Sequence, residues 1–190
     1  MLILGVTGPS GSGKSALTTV FANHGALILD ADAIYHRLLA NSADLRKALT
    51  DAYSTDILTD GMIDRKKLGK IVFSSPALLE KLNAITHPFV IDEIKRQIAE
   101  SSAAMAVIDA PLLFESGLDS LCHTTVSVLA PREVRIERIV ARDGITPEAA
   151  AMRIDAQKSE EFYLARSRSF LYNKGTSRIL KPRLRRFTSA

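Results

Sequence analysis

The chain has 190 residues, 46% of them hydrophobic, which is enough to bury the core of one domain of ordinary size. Its single cysteine, Cys122, excludes an internal disulfide, and no uninterrupted apolar run approaches the ~18 residues needed to cross a bilayer, so we expect a soluble cytoplasmic protein without a membrane partner. The net charge is +4, but residues 163–190 hold eight lysines and arginines and no acid. The remaining residues therefore carry 17 basic against 21 acidic side chains, which excludes a strongly basic domain outside this C-terminal segment.

The first element is an apolar strand, predicted at residues 2–7, and residues 8–15 directly after it read GPSGSGKS, a complete G-x-x-x-x-G-K-[ST] phosphate-binding loop. Its glycines let the backbone curl so that successive N–H groups converge on phosphate oxygens, and the helix that follows adds its N-terminal dipole. Lys14 can reach the β- and γ-phosphates, and the Ser15 hydroxyl can ligate Mg²⁺. The segment predicts a nucleoside triphosphate site, with a plain glycine-rich turn as the minor alternative.

Apolar runs alternate with helical patterns along the rest of the chain. The first helix is predicted to begin at Lys14 and to end near His24-Gly25, and further strands are predicted at residues 26–30, 105–109, 123–129 and 168–172. This alternation is typical of a parallel sheet covered by helices, so we predict a single α/β domain over residues 1–190. Its predicted core comprises residues 1–31, 104–130 and 159–175.

A long region without strand character, residues 32–103, separates the second and third strands. Helix starts are predicted at Asp64-Arg65 and Ser75-Pro76, and an apolar stripe follows over residues 78–85. The pattern predicts a helical insertion. We interpret this insertion as an acceptor-binding region, because the rest of the chain is needed for the nucleotide core. A purely structural role for the insertion is an alternative that the pattern supports equally.

A second insertion is predicted at residues 131–158. Arg135, Arg138 and Arg142 recur at spacings of three and four on one helical face, the helix stops at Asp143-Gly144, and Thr146-Pro147 begins another helix. Such a helical hairpin is a plausible lid whose arginines close over a triphosphate and neutralise charge during transfer. The alternative is a charged face exposed to solvent.

Three carboxylates lie at predicted strand ends. The second strand ends in Asp30-Ala31-Asp32 and the third ends in Asp109, and in a parallel sheet these ends face the same edge as the phosphate loop. A carboxylate there can hold Mg²⁺ through water or accept the proton of an attacking hydroxyl. The alternative is that either of the first two only caps the following helix, and Asp32 is an acceptable N-cap on local grounds.

Further motifs accompany the phosphate loop along the chain. With the GSGKS core of the loop they are Asp30-Ala31-Asp32, Gly61-Met62-Ile63-Asp64-Arg65 with Leu68 and Phe73, His87-Pro88, Pro111-Leu112-Leu113-Phe114-Glu115, Arg142-Asp143-Gly144, Gln157 and Asn173. Through these residues the sequence resembles the dephospho-coenzyme A kinases over nearly its whole length, from Met1 to about Gly175. The loop alone is generic to many nucleotide hydrolases and kinases, whereas the Asp-Ala-Asp, His-Pro and Pro-Leu-Leu-Phe-Glu motifs at these separations are specific to the family.

The resemblance implies a kinase that transfers the γ-phosphoryl group of ATP, bound with Mg²⁺, to the ribose 3′-hydroxyl of dephospho-coenzyme A, the last step of coenzyme A synthesis. It also implies a P-loop kinase fold, a three-layer sandwich with a five-stranded parallel sheet, a helical acceptor-binding insertion and a helical lid. Lys14, Asp32 and Arg142 are the implied catalytic residues, with Asp32 as the base. The implied ATP-binding residues are Gly11, Ser12, Gly13, Lys14, Ser15, Ala16, Arg138, Arg142 and Asn173, of which Asn173 lies near the adenine. The implied acceptor-binding residues are Asp32, Arg65 and His87. Ser15 is the implied Mg²⁺ ligand, with Asp30 or Asp109 acting through water.

The chain departs from the family pattern in three places. Gly8-Pro9-Ser10 stands where members usually have Gly-Gly-Ile, and Ser167-Arg168 stands where they commonly have Ala-Asp, beside the expected adenine contacts. Residues 176–190 form a basic tail broken by Pro182 where an amphipathic helix is expected.

Other functions remain as alternatives. Another small-molecule or nucleotide kinase of the same fold would share the loop and the lid, and a nucleic-acid-associated ATPase would use the basic tail. The tail carries no recognised nucleic-acid motif, so nucleic acid is not an expected partner. A GTPase would need Asn-Lys-x-Asp, but Asn173-Lys174 is followed by Gly175-Thr176. The expected partners are ATP and dephospho-coenzyme A, and a monomer is favoured.

Overall fold

A computed structural model of the chain, described here for residues 1–174, contains one large sheet and eight helices in that part of the chain. The strands are β1 Leu2–Thr7, β2 Leu27–Asp30, β3 Leu58–Thr59, β4 Met62–Ile63, β5 Met105–Asp109, β6 Thr124–Leu129 and β7 Ser169–Tyr172. The helices are α1 Lys14–Asn23, α2 Ala31–Asn41, α3 Ala43–Tyr53, α4 Arg65–Val72, α5 Pro76–Glu100, α6 Arg132–Asp143, α7 Pro147–Asp155 and α8 Glu160–Arg166.

Five strands form a parallel sheet in the order β2-β5-β1-β6-β7. Two of the five predicted strands coincide with β1 and β5, and the other three begin one residue later than predicted. The α/β fold with a five-stranded parallel sheet is therefore confirmed. Both neighbours of β1 lie far along the chain from it, as crossover connections through helices require.

The described residues form two compact units, one made of residues 1–28 and 102–174, the other of Leu29–Ser101. The division into core, insertion, lid and tail stays a prediction, and its tail, residues 176–190, lies outside the described residues. None of the helices described is both long and apolar enough to span a bilayer.

In the first unit, one face of the sheet packs against α1. Alternate residues along each strand point to this face, so apolar side chains from neighbouring strands meet there and are buried together. The buried members of this core are Leu4, Val6, Leu17, Val107, Val128 and Leu171.

On the other face of β1, Gly5 allows the segment after β5 to approach closely. A Cβ at Gly5 would lie 2.8 Å from Cys122 Sγ and 2.9 Å from Leu113 Cδ2, so a side chain there would displace both. Burial in this packing, together with the nearby charge of Asp119, raises the pKa of the Cys122 thiol to about 12. The thiol is therefore protonated near neutral pH and acts as an apolar packing group.

The second unit has its own apolar core, formed by helices α2 to α5 and the chain between α3 and α4. The stripe predicted over residues 78–85 contributes to it, and the Asp64 carboxylate caps α4 by accepting from the N–H groups of Lys66 (2.8 Å) and Lys67 (3.1 Å). The buried members of this apolar core include Leu45, Leu49, Ile57, Leu68 and Val72.

The prediction that residues 32–103 contain no strand is wrong, because β3 and β4 form a short antiparallel hairpin. Asp60 and Gly61 connect the two strands, and both have positive φ angles, 51° and 76°. Asp-Gly with this geometry is the preferred two-residue hairpin turn, since its twist matches that of the strands. The dipeptide was visible in the sequence, but two-residue strands are too short to show a period-2 pattern.

The helical hairpin predicted for residues 131–158 is present as α6 and α7. Helix α6 ends at Asp143 with Gly144 as its C-cap, and the Thr146 hydroxyl caps α7 by accepting from Ala149 N–H at 3.3 Å. A small buried core of its own, Ile139, Ala150 and Ile154, joins the two helices.

Substitution of Gly61 tests the hairpin turn. We expect Gly61→Ala to lower the free energy of unfolding by about 1 kcal/mol, because alanine is strained at φ 76° while its added methyl meets nothing within 4 Å. Gly61→Asn is the matched control and should lose less, because asparagine tolerates this conformation. Urea unfolding of the three proteins measures the difference, and an alanine variant as stable as the parent would refute the assigned turn.

Candidate active site

The phosphate-binding loop connects β1 to α1 as the motif predicts. Gly8, Gly11 and Gly13 have φ angles of 140°, 76° and 94°, a region that only glycine adopts readily. Helix α1 begins at Lys14 with Gly13 as its N-cap, and glycine has no side chain to cap the first N–H groups. Because the first four N–H groups of a helix have no acceptor within it, this end of α1 is suited to bind an anion.

Lys14 folds back over the loop. Its Nζ donates to the carbonyl oxygen of Gly8 at 2.8 Å, and the side chain is half-buried. The ammonium group is thus held beside the loop that the motif assigns to phosphate oxygens.

Ser12 carries a buried hydroxyl that has no hydrogen-bond partner among the described residues. The residue is 1% exposed, and Oγ is its unsatisfied atom. Leaving such a group unpaired costs about 1–3 kcal/mol. An unsatisfied donor inside a phosphate loop fits a ligand rich in acceptor oxygens.

Arg138 and Asn173 bind the loop from its carbonyl side. Arg138 Nη1 donates to the carbonyl oxygens of Gly11 (3.0 Å) and Ser12 (3.1 Å), and its Nη2 donates to Asn173 Oδ1 (2.9 Å). The amide of Asn173 in turn donates to the Ser12 carbonyl at 3.0 Å. The structure therefore brings together four of the predicted ATP-binding residues.

Arg135 also contacts the loop, although the sequence analysis placed it only in the arginine stripe of the lid. Its Nε donates to the carbonyl oxygen of Ser10 at 2.9 Å, and Gln157, which follows α7, is hydrogen-bonded to Ser10 as well. Gln157 was noticed only as a family motif. Periodicity identifies the face on which an arginine lies, but it does not show which backbone group that arginine contacts.

Arg142 has a different environment. It forms a two-point ion pair with Asp143 (Nε to Oδ1 2.7 Å, Nη2 to Oδ2 3.0 Å), and Arg153 binds the same carboxylate. The hydrogen bonds from Arg142, reinforced by those from Arg153, lower the pKa of Asp143 to about 2. Of the three arginines in the stripe, the structure places two at the loop and pairs the third with an acid.

The carboxylates after β2 have distinct positions. Asp30 is the N-cap of α2, because its Oδ1 accepts from Ala33 N–H at 2.9 Å. The alternative in which Asp32 caps this helix is therefore wrong: Asp32 is the second residue of α2 and is exposed. Asp109 ends β5 and is partly buried.

No group of three or more His, Cys, Asp or Glu side chains within residues 1–174 is arranged to hold a metal ion. Mg²⁺ that accompanies a nucleotide needs no such cage, because phosphate oxygens and water complete its shell beside one or two protein oxygens. The Ser15 hydroxyl, exposed at the start of α1, is an oxygen ligand of the required kind.

The predicted acceptor residues lie in the Leu29–Ser101 unit. Arg65 is the exposed first residue of α4, and its Nη2 is 3.3 Å from His36 Nε2. His87 lies within α5, where burial lowers the pKa of its imidazole, so the ring is predominantly neutral at pH 7. Arg65 thus supplies a positive charge, and His87 supplies neutral hydrogen-bonding atoms.

The chain is similar to the proteins of one known family over most of its length. The family model described as dephospho-CoA kinase matches residues 2–178. The chain belongs to the dephospho-CoA kinase family. Members of this family catalyse the final step of coenzyme A biosynthesis, and the predicted family, fold class and enzyme class are confirmed.

Relatives in this family are similar over almost their whole length. The dephospho-CoA kinase of Lactobacillus johnsonii is 40% identical, with 95% of this chain and 93% of that protein covered, and that of Streptomyces avermitilis is 41% identical, with 87% and 82% covered. Among solved structures, a Thermus thermophilus protein has a TM-score of 0.79 at 33% identity, covering 92% of this chain and 90% of that one. Dephospho-CoA kinase from Campylobacter jejuni has a TM-score of 0.65 at 29% identity, covering 92% and 89%.

The unpartnered hydroxyl of Ser12 leads to a prediction of unusual sign. We expect Ser12→Ala to raise the free energy of unfolding of the nucleotide-free kinase by about 1 kcal/mol, because a buried polar group without a partner is removed. Ser10→Ala is the matched control within the same loop. It should destabilise, since the Ser10 hydroxyl accepts from Gln157 Nε2 at 3.0 Å. Urea unfolding measures both, and a destabilised Ser12→Ala variant would show that this hydroxyl has a partner in solution.

Proposed function

We propose that this kinase transfers the γ-phosphoryl group of ATP to the ribose 3′-hydroxyl of dephospho-coenzyme A, giving coenzyme A and ADP. The observation that carries the proposal is the family match over residues 2–178 in a chain whose phosphate loop is fully formed. In the reaction, the 3′-oxygen forms a bond to the γ-phosphorus while the bond from that phosphorus to the β,γ-bridging oxygen breaks. The bonding electron pair leaves with ADP, and the hydroxyl proton passes to a carboxylate.

On the ATP side, we propose that Gly11 to Ala16 bind the triphosphate through N–H groups at the start of α1. Lys14 would exchange the Gly8 carbonyl for β- and γ-phosphate oxygens, where negative charge concentrates during transfer. The Ser15 hydroxyl would hold Mg²⁺, with Asp30 or Asp109 acting through water. When bound, this ion neutralises charge on the phosphates.

Two arginines of the lid are assigned different tasks. Arg138 already contacts the loop beside Asn173, so in the proposal it adds positive charge near the triphosphate, and Asn173 supports the adenine side. Arg142 would reach the transferring group only by exchanging Asp143 for phosphate oxygens. Because one anion replaces another, the guanidinium keeps a negatively charged partner.

On the acceptor side, we propose Asp32 as the base that orients the 3′-hydroxyl and takes its proton. Its carboxylate is exposed in the first turn of α2, and the N-cap of that helix is supplied by Asp30. Arg65 would pair with the pyrophosphate of the acceptor, and the neutral imidazole of His87 would contribute a hydrogen bond.

We further propose that the enzyme acts as a cytoplasmic monomer with ATP and dephospho-coenzyme A as its partners and without nucleic acid. Size-exclusion chromatography with light scattering tests the monomer, and a dimer at micromolar concentration would contradict it.

An assay of ADP formation tests the proposed function directly. We expect turnover with dephospho-coenzyme A and little with nucleoside monophosphates. Lys14→Ala should reduce turnover on the order of a hundredfold or more while the protein stays folded, because the charge beside the β- and γ-phosphates is lost. Turnover that prefers a nucleoside monophosphate would instead support another kinase of the same fold.

Asp32→Asn tests the proposed base. We expect a folded protein that binds both substrates but phosphorylates dephospho-coenzyme A about a hundredfold more slowly or worse, as for loss of a positioned general base. Asp44→Asn is a matched control, because Asp44 is likewise an exposed acid at the second position of a helix, α3, and it should retain parental turnover. Parental activity in the Asp32 variant would move the assignment to Asp30 or Asp109.

A further inference from the structure

Ser10, in the middle of the phosphate loop, is held by two side chains at once. Arg135 Nε donates to its carbonyl oxygen (2.9 Å), its N–H donates to Gln157 Oε1 (3.1 Å), and its hydroxyl accepts from Gln157 Nε2 (3.0 Å). Arg135 Nη2 closes the network by donating to Gln157 Oε1 at 2.7 Å. Every polar group of Ser10, in its backbone and its side chain, therefore has a partner.

The two side chains come from opposite ends of the lid hairpin. Arg135 lies in the first turn of α6, and Gln157 lies two residues beyond the end of α7. The hairpin begins shortly after β6 and ends shortly before α8, which leads to β7. Because Arg135 and Gln157 both bind Ser10, the network connects the two ends of the α6–α7 hairpin to the phosphate loop.

The backbone of α6 also lies against the loop. A Cβ at Gly11 would be 2.7 Å from the carbonyl oxygen of Arg135 and 2.9 Å from its Cα, so only glycine allows this approach. The Arg135 side chain is half-buried here, and burial lowers the pKa of its guanidinium, which nevertheless remains a cation. The contact is close-packed rather than a loose surface interaction.

This network sets the direction of a phosphate-facing group. In a planar trans peptide the C=O and the following N–H point to opposite sides. Because the Ser10 carbonyl points to Arg135 Nε, the N–H of Gly11 points away from that guanidinium. Arg138 likewise holds the Ser12 carbonyl, and so directs the N–H of Gly13.

We propose that Arg135 and Gln157 are positioning residues for ATP, which act through Ser10 by fixing the phosphate loop in its binding shape. The inference rests on the proposed function only in taking ATP as the phosphoryl donor. Neither residue needs to touch ATP. A loop already ordered before ATP arrives loses less conformational entropy on binding, so the network increases affinity for ATP without changing the acceptor site.

The test is equilibrium binding of ATP, measured by calorimetry without the acceptor. We expect Gln157→Met, which keeps the length of the side chain but none of its hydrogen bonds, to weaken ATP binding about tenfold. Gln157→Glu should restore it to within about threefold of the parent, because the carboxylate accepts from both Ser10 N–H and Arg135, and the Ser10 hydroxyl can then act as donor. The KM for dephospho-coenzyme A should be unchanged in both.

Arg135→Met should weaken ATP binding to a similar extent, and the double variant should lose less than the product of the two single losses, because both side chains act through one network. Arg132→Met is the matched control. Arg132 is on the same helix and joins α6 to Asp155 at 2.8 Å, but its pair does not involve Ser10, so parental ATP affinity is expected. If Arg135→Met fails to fold, Arg135→Lys keeps the cation with fewer donors and serves instead.

Three results would overturn the proposal. One is parental ATP affinity in folded Gln157→Met and Arg135→Met proteins. Another is a lower melting temperature with unchanged affinity per folded molecule, which would make the contacts structural only. The third is a loss of kcat in the Arg135 variants but not in Gln157→Met, together with a loss in the double variant that equals the product of the two single losses. That result would place Arg135 on the substrate itself. If ATP binds but dephospho-coenzyme A is not phosphorylated, the proposed function fails while the binding result still decides this inference.

Discussion

A peptide group that turns its N–H toward an anion turns its carbonyl to the other side, and that carbonyl needs a donor of its own. This constraint governs the phosphate loop of the chain. A buried carbonyl without a partner costs free energy comparable to a lost hydrogen bond. Three successive carbonyls of the loop, from Ser10 to Ser12, accept hydrogen bonds from Arg135 and Arg138. The arginines therefore satisfy the carbonyls on one side of the loop, opposite the side that we propose binds phosphate.

The use of arginine has an electrostatic consequence. Each guanidinium supplies several donors in a fixed plane, so Arg138 can hold two carbonyls and the Asn173 amide at once. Each also brings a permanent positive charge close to the anion site, where partial burial limits screening by salt. A neutral donor such as glutamine could satisfy the carbonyls but would not add this charge.

The strands, the loop and the starts of α4, α5 and α7 were predictable because each depends on local chemistry: an apolar run, a glycine pattern or a capping residue. The β3–β4 hairpin was missed because its strands are two residues long, and the choice between Asp30 and Asp32 as the cap of α2 depends on where the strand ends, to within one residue. The contacts of Arg135 and Gln157 could not be predicted, because 22 positions separate them in sequence and only the folded hairpin of α6 and α7 brings both to Ser10.

The hairpin of α6 and α7 thus contains arginines of two kinds. Arg135 and Arg138 face backbone carbonyls of the loop, which are present whether or not a nucleotide is bound. Arg142, near the end of the same helix, faces a carboxylate, and a phosphate oxygen can replace Asp143 without leaving an unpaired cation. Arginines on one helical face therefore bind backbone carbonyls at Arg135 and Arg138 and a carboxylate at Arg142, and only the carboxylate is a partner that another anion can replace.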